Sequence, residues 1–149
     1  MTRAMVMMHF YVLIVLFYSF QNKTETTYSL TVNAKGLRNS DGVVQFALYN
    51  KEGSIPDAHY KKYYRKLTAK IVNGTSEVTF LNIPIGNYAI NILHDEDVDG
   101  KIKKGIILPK EGIGFSNYQS IGLLNKPEFG KASFNLTSDK TLDVKIIYL

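Results

Sequence analysis

The sequence predicts an all-β fold, a single antiparallel β-sandwich of about seven strands of the immunoglobulin-like or prealbumin-like kind. Three observations predict it. From residue 28 onward apolar residues recur with a period of two, the pattern of strands buried on one face. The short runs are separated by Gly, Pro, Asn and Asp, which supply turn chemistry. No stretch of useful length carries a helical period, and one domain accounts for the whole pattern.

The elements follow in order. Residues 28–36 (YSLTVNAKG) alternate, with Leu30 and Val32 on one side. Gly42 opens GVVQFALYN, with Val44, Phe46 and Leu48 on one face. A short helical turn is expected around residues 58–64. RKLTAKIVNG ends in Asn73-Gly74, the strongest hairpin signal in the chain, and TSEVTFLNI follows at once. Residues 66–72 and 75–82 are therefore expected to pair antiparallel.

Pro84 and Gly86 then turn the chain into NYAINILHD, where Tyr88, Ile90 and Ile92 alternate with Ala89, Asn91 and Leu93. This strand is expected to be central. KASFNLT, a turn at Ser138-Asp139-Lys140 and TLDVKIIYL complete the set. Between the fifth and sixth strands runs one long loop of about 35 residues, punctuated by Gly105, Gly112, Gly114, Gly122 and Gly130. Loops beyond about 12–15 residues without structure of their own are uncommon and tend to carry function.

Composition narrows the function classes. The 149 residues include no cysteine, which excludes disulfides, thiolate metal sites and a cysteine nucleophile. Residues 1–20 read as a signal peptide or N-terminal membrane anchor: Arg3, then the apolar run FYVLIVLFY, then polar residues from Gln21. The run is short for a membrane span, yet Tyr18-Ser19-Phe20-Gln21 offers no small-x-small cleavage site. Both forms imply export to a periplasmic or extracellular location.

The formal charge is +5, and the excess is local, with Lys61, Lys62, Arg65, Lys66 and Lys70 crowded into KKYYRKLTAK. Interleaved Tyr63 and Tyr64 would suit a nucleic-acid strand. A solvated edge strand guarded by lysines fits better, because the cluster stands alone, and nucleic acid is not expected as a partner. An acidic membrane surface remains compatible with it.

The motif that carries chemistry opens the long loop. In Asp95-Glu96-Asp97-Val98-Asp99-Gly100-Lys101-Ile102, carboxylates at positions one, three and five can converge on one cation. The glycine at six permits a sharp turn, the Lys101 backbone carbonyl at seven adds a ligand, and Ile102 anchors the loop. Hard oxygen ligands favour Ca²⁺. Position twelve is Ile106, where a bidentate glutamate is expected, so Glu111 is the residue that could close the shell. The competing reading is an acidic turn whose aspartates bond their own backbone. His94 reads as a strand-end residue that orients the loop.

Catalytic signatures are sparse. There is no His-Glu-x-x-His, no Gly-x-Ser-x-Gly and no phosphate-cradling loop. A triad of His94, Asp95 and Ser116 can be assembled only on paper, and the other catalytic reading is a hydrolase with His94 and the nearby carboxylates as its acid–base set.

The run IPIGNYAINILHDEDVDGKI, then GIILPKEGIGFSN, Pro127-x-Phe129 and KASFNL, is similar to the bacterial domain-of-unknown-function 2141 family over about residues 28–149. The most specific parts are Pro84-x-Gly86-x-Tyr88-Ala89, His94-Asp95, Asp97-x-Asp99-Gly100 and the block from Pro109 to Asn117. The resemblance implies an exported bacterial β-sandwich and brings no activity with it. Asp97 stands where the pattern often has asparagine. The leading expectation is a non-catalytic binding or structural module of the envelope, its loop stiffened by calcium, engaging a protein or glycan partner. The alternatives are the hydrolase and a carrier of a small apolar ligand.

Overall fold

The structure, a computed structural model, describes residues 25–102, 110–122 and 124–149. The expected leader over residues 1–20 lies outside them. Among the described residues no helix is long and apolar enough to cross a membrane.

Among the described residues eight strands form two sheets. The smaller holds β1 (Thr27–Lys35), β4 (Ser76–Pro84) and β8 (Lys140–Lys145) in the order β4-β1-β8. The larger is ordered β3-β2-β5-β6, from β2 (Val43–Tyr49), β3 (Arg65–Ala69), β5 (Gly86–Asp95) and β6 (Gly112–Phe115). A short β7 (Phe134–Leu136) pairs with the first residues of β5. Pairing is antiparallel except between β1 and β8, which run parallel from Leu30↔Lys140 to Lys35↔Lys145. The sandwich is as the sequence predicts, and β5 is its central strand.

Two apolar clusters explain why β2 and β5 are buried along nearly their whole length. Val44, Phe46 and Leu48 of β2 and Tyr88, Ile90 and Ile92 of β5 face the smaller sheet and meet Leu30, Val32, Phe80 and Val144. Their alternates Ala47, Tyr49, Ala89 and Leu93 face outward. They are covered by Ile55 and Tyr60 from the segment after β2, and by Ile113, Phe115, Tyr118 and Phe129 from the long excursion. Loops thus make a third layer over the larger sheet. Both registers of β5 are core.

A polar seam runs through this outer layer. Tyr49 Oη donates to Asp57 Oδ2 at 3.2 Å, and Tyr60 Oη donates to Asn91 Oδ1 at 3.1 Å. The Lys62 backbone N–H also reaches Asp57 Oδ2, at 2.7 Å. Burial pushes both tyrosine hydroxyls up, Tyr49 further by the charge of Asp57.

Three expectations are corrected. The Asn73-Gly74 turn forms, with both residues at positive φ (52° and 73°), but only Val72 and Thr75 bridge across it. β3 pairs with β2, whereas β4 pairs with β1 in the other sheet. The turn therefore carries the chain across the sandwich instead of closing a hairpin. Residues 58–64 make no helix; a tight turn forms there with Tyr60 N–H donating to Asp57 O. The excursion between β5 and β7 is not one bare loop, because it holds β6 and a one-turn helix α1 (Phe129–Ala132).

The glycines of β6 have a packing reason. A Cβ on Gly112 would lie 2.5 Å from side-chain atoms of Ile146 and Tyr148, and one on Gly114 would lie 2.7 Å from Lys145 O. The C-terminal segment presses directly on this strand, and Ile113 and Ile147 exchange backbone hydrogen bonds. Only a strand without side chains on that face admits such an approach.

Candidate functional site

The last residues of β5 and the loop that leaves it build the site. Asp95 is 1% exposed and still in the strand, while Asp97 and Asp99 stand on the exposed loop. One carboxylate oxygen from each of the three lies within 4.8 Å of the others. Oxygens on opposite sides of a calcium ion, each at about 2.3–2.6 Å from it, are separated by about 5 Å, so the cluster has the right span.

The backbone supports this convergence. Asp99 N–H donates to Asp95 Oδ1 at 3.1 Å, and Gly100 N–H donates to Asp95 Oδ2 at 3.0 Å. Asp97 Oδ1 also accepts from Asp99 N–H, and Asp99 Oδ1 accepts from Lys101 N–H at 2.9 Å. These are the local side-chain to backbone bonds of an Asx turn. They hold the three carboxylates on one side of the loop. The positive φ of Val98 and Gly100 closes it.

Residues remote in sequence orient Asp95, the first of the three carboxylates. Gln45 Nε2 donates to Asp95 Oδ2 at 2.6 Å, and Gln45 Oε1 accepts from Lys66 Nζ at 3.2 Å. Asp95 Oδ2 therefore accepts two hydrogen bonds already, and Oδ1 is the oxygen it would offer to a cation. Glu96 faces the other way. Its carboxylate takes the Arg38 guanidinium side-on and accepts from Asn39 Nδ2 at 2.7 Å. The Arg38 hydrogen bond holds the Glu96 carboxyl below the ordinary glutamate range.

Glu111 is buried and accepts from Glu96 N–H at 3.3 Å, so it braces the start of the loop. It lies outside the group of three converging carboxylates. Lys101 is exposed and donates its N–H to Asp99; its position just after Gly100 is the one expected to supply a carbonyl. Sequence reading located the three aspartates by spacing alone. It missed Arg38, Asn39 and Gln45, which are 50 or more residues away and carry no local signal.

His94 is fully engaged elsewhere. Its Nε2 lies 2.9 Å from the Asp41 carbonyl oxygen and its Nδ1 2.7 Å from Tyr148 Oη. A carbonyl only accepts, so Nε2 carries a hydrogen, and in the neutral ring Nδ1 accepts from the tyrosine. Tyr148 Oη in turn accepts from Arg38 N–H at 3.0 Å, and the Arg38 guanidinium lies 4.6 Å over the Tyr148 ring. His94 thus ties the loop before β2 and the C-terminus to the strand that ends in Asp95. Ser116 is not beside it. Ser116 Oγ donates to Ala132 O and accepts from Ile90 N–H. Ile90 is four positions from His94 along β5, roughly 13 Å away.

The chain belongs to the DUF2141 family, described as uncharacterized protein conserved in bacteria, whose profile matches residues 32–145. No curated protein matches the chain. Among solved structures it is similar to the pilus-presented adhesin Spy0125 (Cpa), in a cysteine-to-alanine mutant and in a second crystal form. Both are 17% identical; the TM-scores are 0.27 and 0.26, with 81% and 80% of this chain covered. The chain spans 27% of the length of the adhesin.

Proposed function

We propose that the protein is an exported, non-catalytic binding or structural module of the bacterial envelope whose loop from Asp95 to Lys101 takes up Ca²⁺. The observation that carries the calcium reading is the convergence of the Asp95, Asp97 and Asp99 carboxylates within 4.8 Å. The Gln45 bond that fixes the buried ligand supports it. Calcium would supply charge compensation and rigidity to the start of the excursion that covers the larger sheet.

The engagement of both His94 nitrogens and the separation of Ser116 favour this reading over the hydrolase. The carrier reading is disfavoured because Phe46, Ile90 and Ile92 fill the space between the sheets. A protein or glycan of the envelope is the partner class that an exported, non-catalytic module implies.

Calorimetric titration of the purified chain with calcium tests the metal. A dissociation constant of about 10⁻⁴–10⁻³ M, the range of extracellular modules, is expected. Heat unchanged by Asp97→Asn with Asp99→Asn would contradict it. Fractionation of tagged protein in a bacterial host tests export, and soluble full-length protein in the cytoplasm would contradict that part.

A further inference from the structure

We propose that the end of the sandwich opposite the acidic loop docks on an anionic phospholipid bilayer. The inference deepens the export reading by naming the surface the module meets. It makes no use of the calcium loop, which lies at the far end of β5, ten residues and roughly 30 Å away.

Strand register places the parts together. β2 runs out to Tyr49, level with Ala89, and β3 returns from Arg65, level with Leu48. β1 starts at Thr27 opposite Pro84, the last residue of β4. The segment after β2, the turn at Ile85 and the first residues of β1 therefore share one end. The Tyr64 and Tyr88 ring centroids are 6.1 Å apart, and Arg65 Nη1 donates to Leu81 O at 2.7 Å. These contacts join the start of β3 to the start of β5 and to β4. At this end stands Tyr64, 38% exposed, with Leu81 and Ile85 at 58% and 54%.

Charge selects the occupant. Lys51, Lys61, Lys62 and Arg65 outnumber the exposed acidic residues Glu25 and Glu52 of this end, and Asp57 is buried and hydrogen-bonded. Each lysine or arginine near an anionic leaflet contributes about 1 kcal/mol. Tyrosine and long basic side chains settle at the headgroup level, where one end is apolar and the other wet. Exposed leucine and isoleucine beside them give the same surface something to bury.

The chain direction agrees. Ile85 N–H donates to Thr26 O at 3.4 Å, so the chain enters the fold beside this surface. The apolar run FYVLIVLFY ends at Tyr18, eight residues earlier, which reach at most about 28 Å. A membrane-held N-terminus would present this end to the bilayer.

The full 149-residue chain has no tryptophan, so a single one reports its own surroundings. Ile85→Trp places it on the proposed surface. Val72→Trp places it at the opposite end, on an exposed turn away from the aspartates. Both are reconstituted with vesicles of phosphatidylcholine, alone or mixed with phosphatidylglycerol, carrying brominated acyl chains. The tryptophan at 85 should be quenched with phosphatidylglycerol present and far less without it, and the one at 72 in neither.

Adding Lys61→Gln and Lys62→Gln should lower the ratio of docked to undocked domain roughly thirty-fold, at about 1 kcal/mol per lysine. Equal quenching in both lipids, equal quenching at both positions, or indifference to the lysines would overturn the proposal. So would equally tight binding of a nucleic-acid duplex. A calcium-dependent melting shift that survives any of these results would leave the metal reading standing alone.

Discussion

His94 Nδ1 and Tyr148 Oη meet at 2.7 Å across 54 residues of sequence, which joins the end of the central strand to the C-terminus. The same hydroxyl accepts from the Arg38 backbone, and Arg38 grips Glu96 beside the acidic loop. Two separate segments, the loop before β2 and the C-terminus, are therefore held against β5 just where Asp95 emerges.

Tyr148→Phe should leave the buried His94 nitrogen without its donor and cost about 1–3 kcal/mol in chemical denaturation. Nitrogen-15 spectra of the wild type should show His94 protonated at Nε2. A loss below half a kcal/mol would mean that this contact does not order the region.

The two apolar clusters make a paired prediction. Ile90→Ala should cost about 2–5 kcal/mol, from the space between the sheets. Phe115→Ala should cost about 3–5 kcal/mol although it lies in the outer layer, because Phe115 is only 3% exposed. A two-layer sandwich with loose loops would instead lose little from Phe115. The measurement is urea unfolding of each variant against wild type.

Tyr49 and Tyr60 predict a limit on the alkaline side. Burial raises both hydroxyls above the ordinary value of 10.0. A folded value above the unfolded one means that this stability is full below about pH 10 and is lost as pH rises toward the folded value. Each buried tyrosine should steepen the loss by about 1.4 kcal/mol per pH unit above 10. Tyr49→Phe, which loses its bond to Asp57, should be somewhat less stable at neutral pH yet shallower in its alkaline limb. An unchanged slope would contradict the assignment.

Much of the fold was legible because a half-buried strand writes its burial into every second residue. Leu30 and Val32, or Tyr88, Ile90 and Ile92, need no partner to be recognised. What was illegible is whatever depends on remote partners. Asn73-Gly74 announces a turn, yet nothing nearby says that β3 belongs to one sheet and β4 to the other. Gly112 and Gly114 read only as punctuation of the long loop, because the reason for them, contact with the segment from Lys145 to Tyr148, lies more than thirty residues downstream. At the site the three aspartates were legible as a contiguous motif, whereas Gln45 and Arg38 carry no mark of their role. The structure gives Asp95 a role independent of the proposed metal, as the acceptor of Gln45, Asp99 and Gly100.

The most direct measurement is the melting temperature of the chain in millimolar calcium against the same chain in chelator. A cation that binds only the folded loop stabilises it by RT ln(1 + [L]/Kd), about 1.4 kcal/mol for a Kd near 10⁻⁴ M. For a domain of this size that is a rise of roughly 3–6 °C. Magnesium should do less, because it dehydrates reluctantly and demands a tighter octahedron. The control is Asp97→Asn with Asp99→Asn, which spares the hydrogen bonds of Asp95. It should abolish the calcium shift while leaving the β-sheet circular dichroism intact. Wild-type curves that coincide in calcium and chelator would contradict the account and leave HDEDVDGKI as an acidic turn closed by its own backbone.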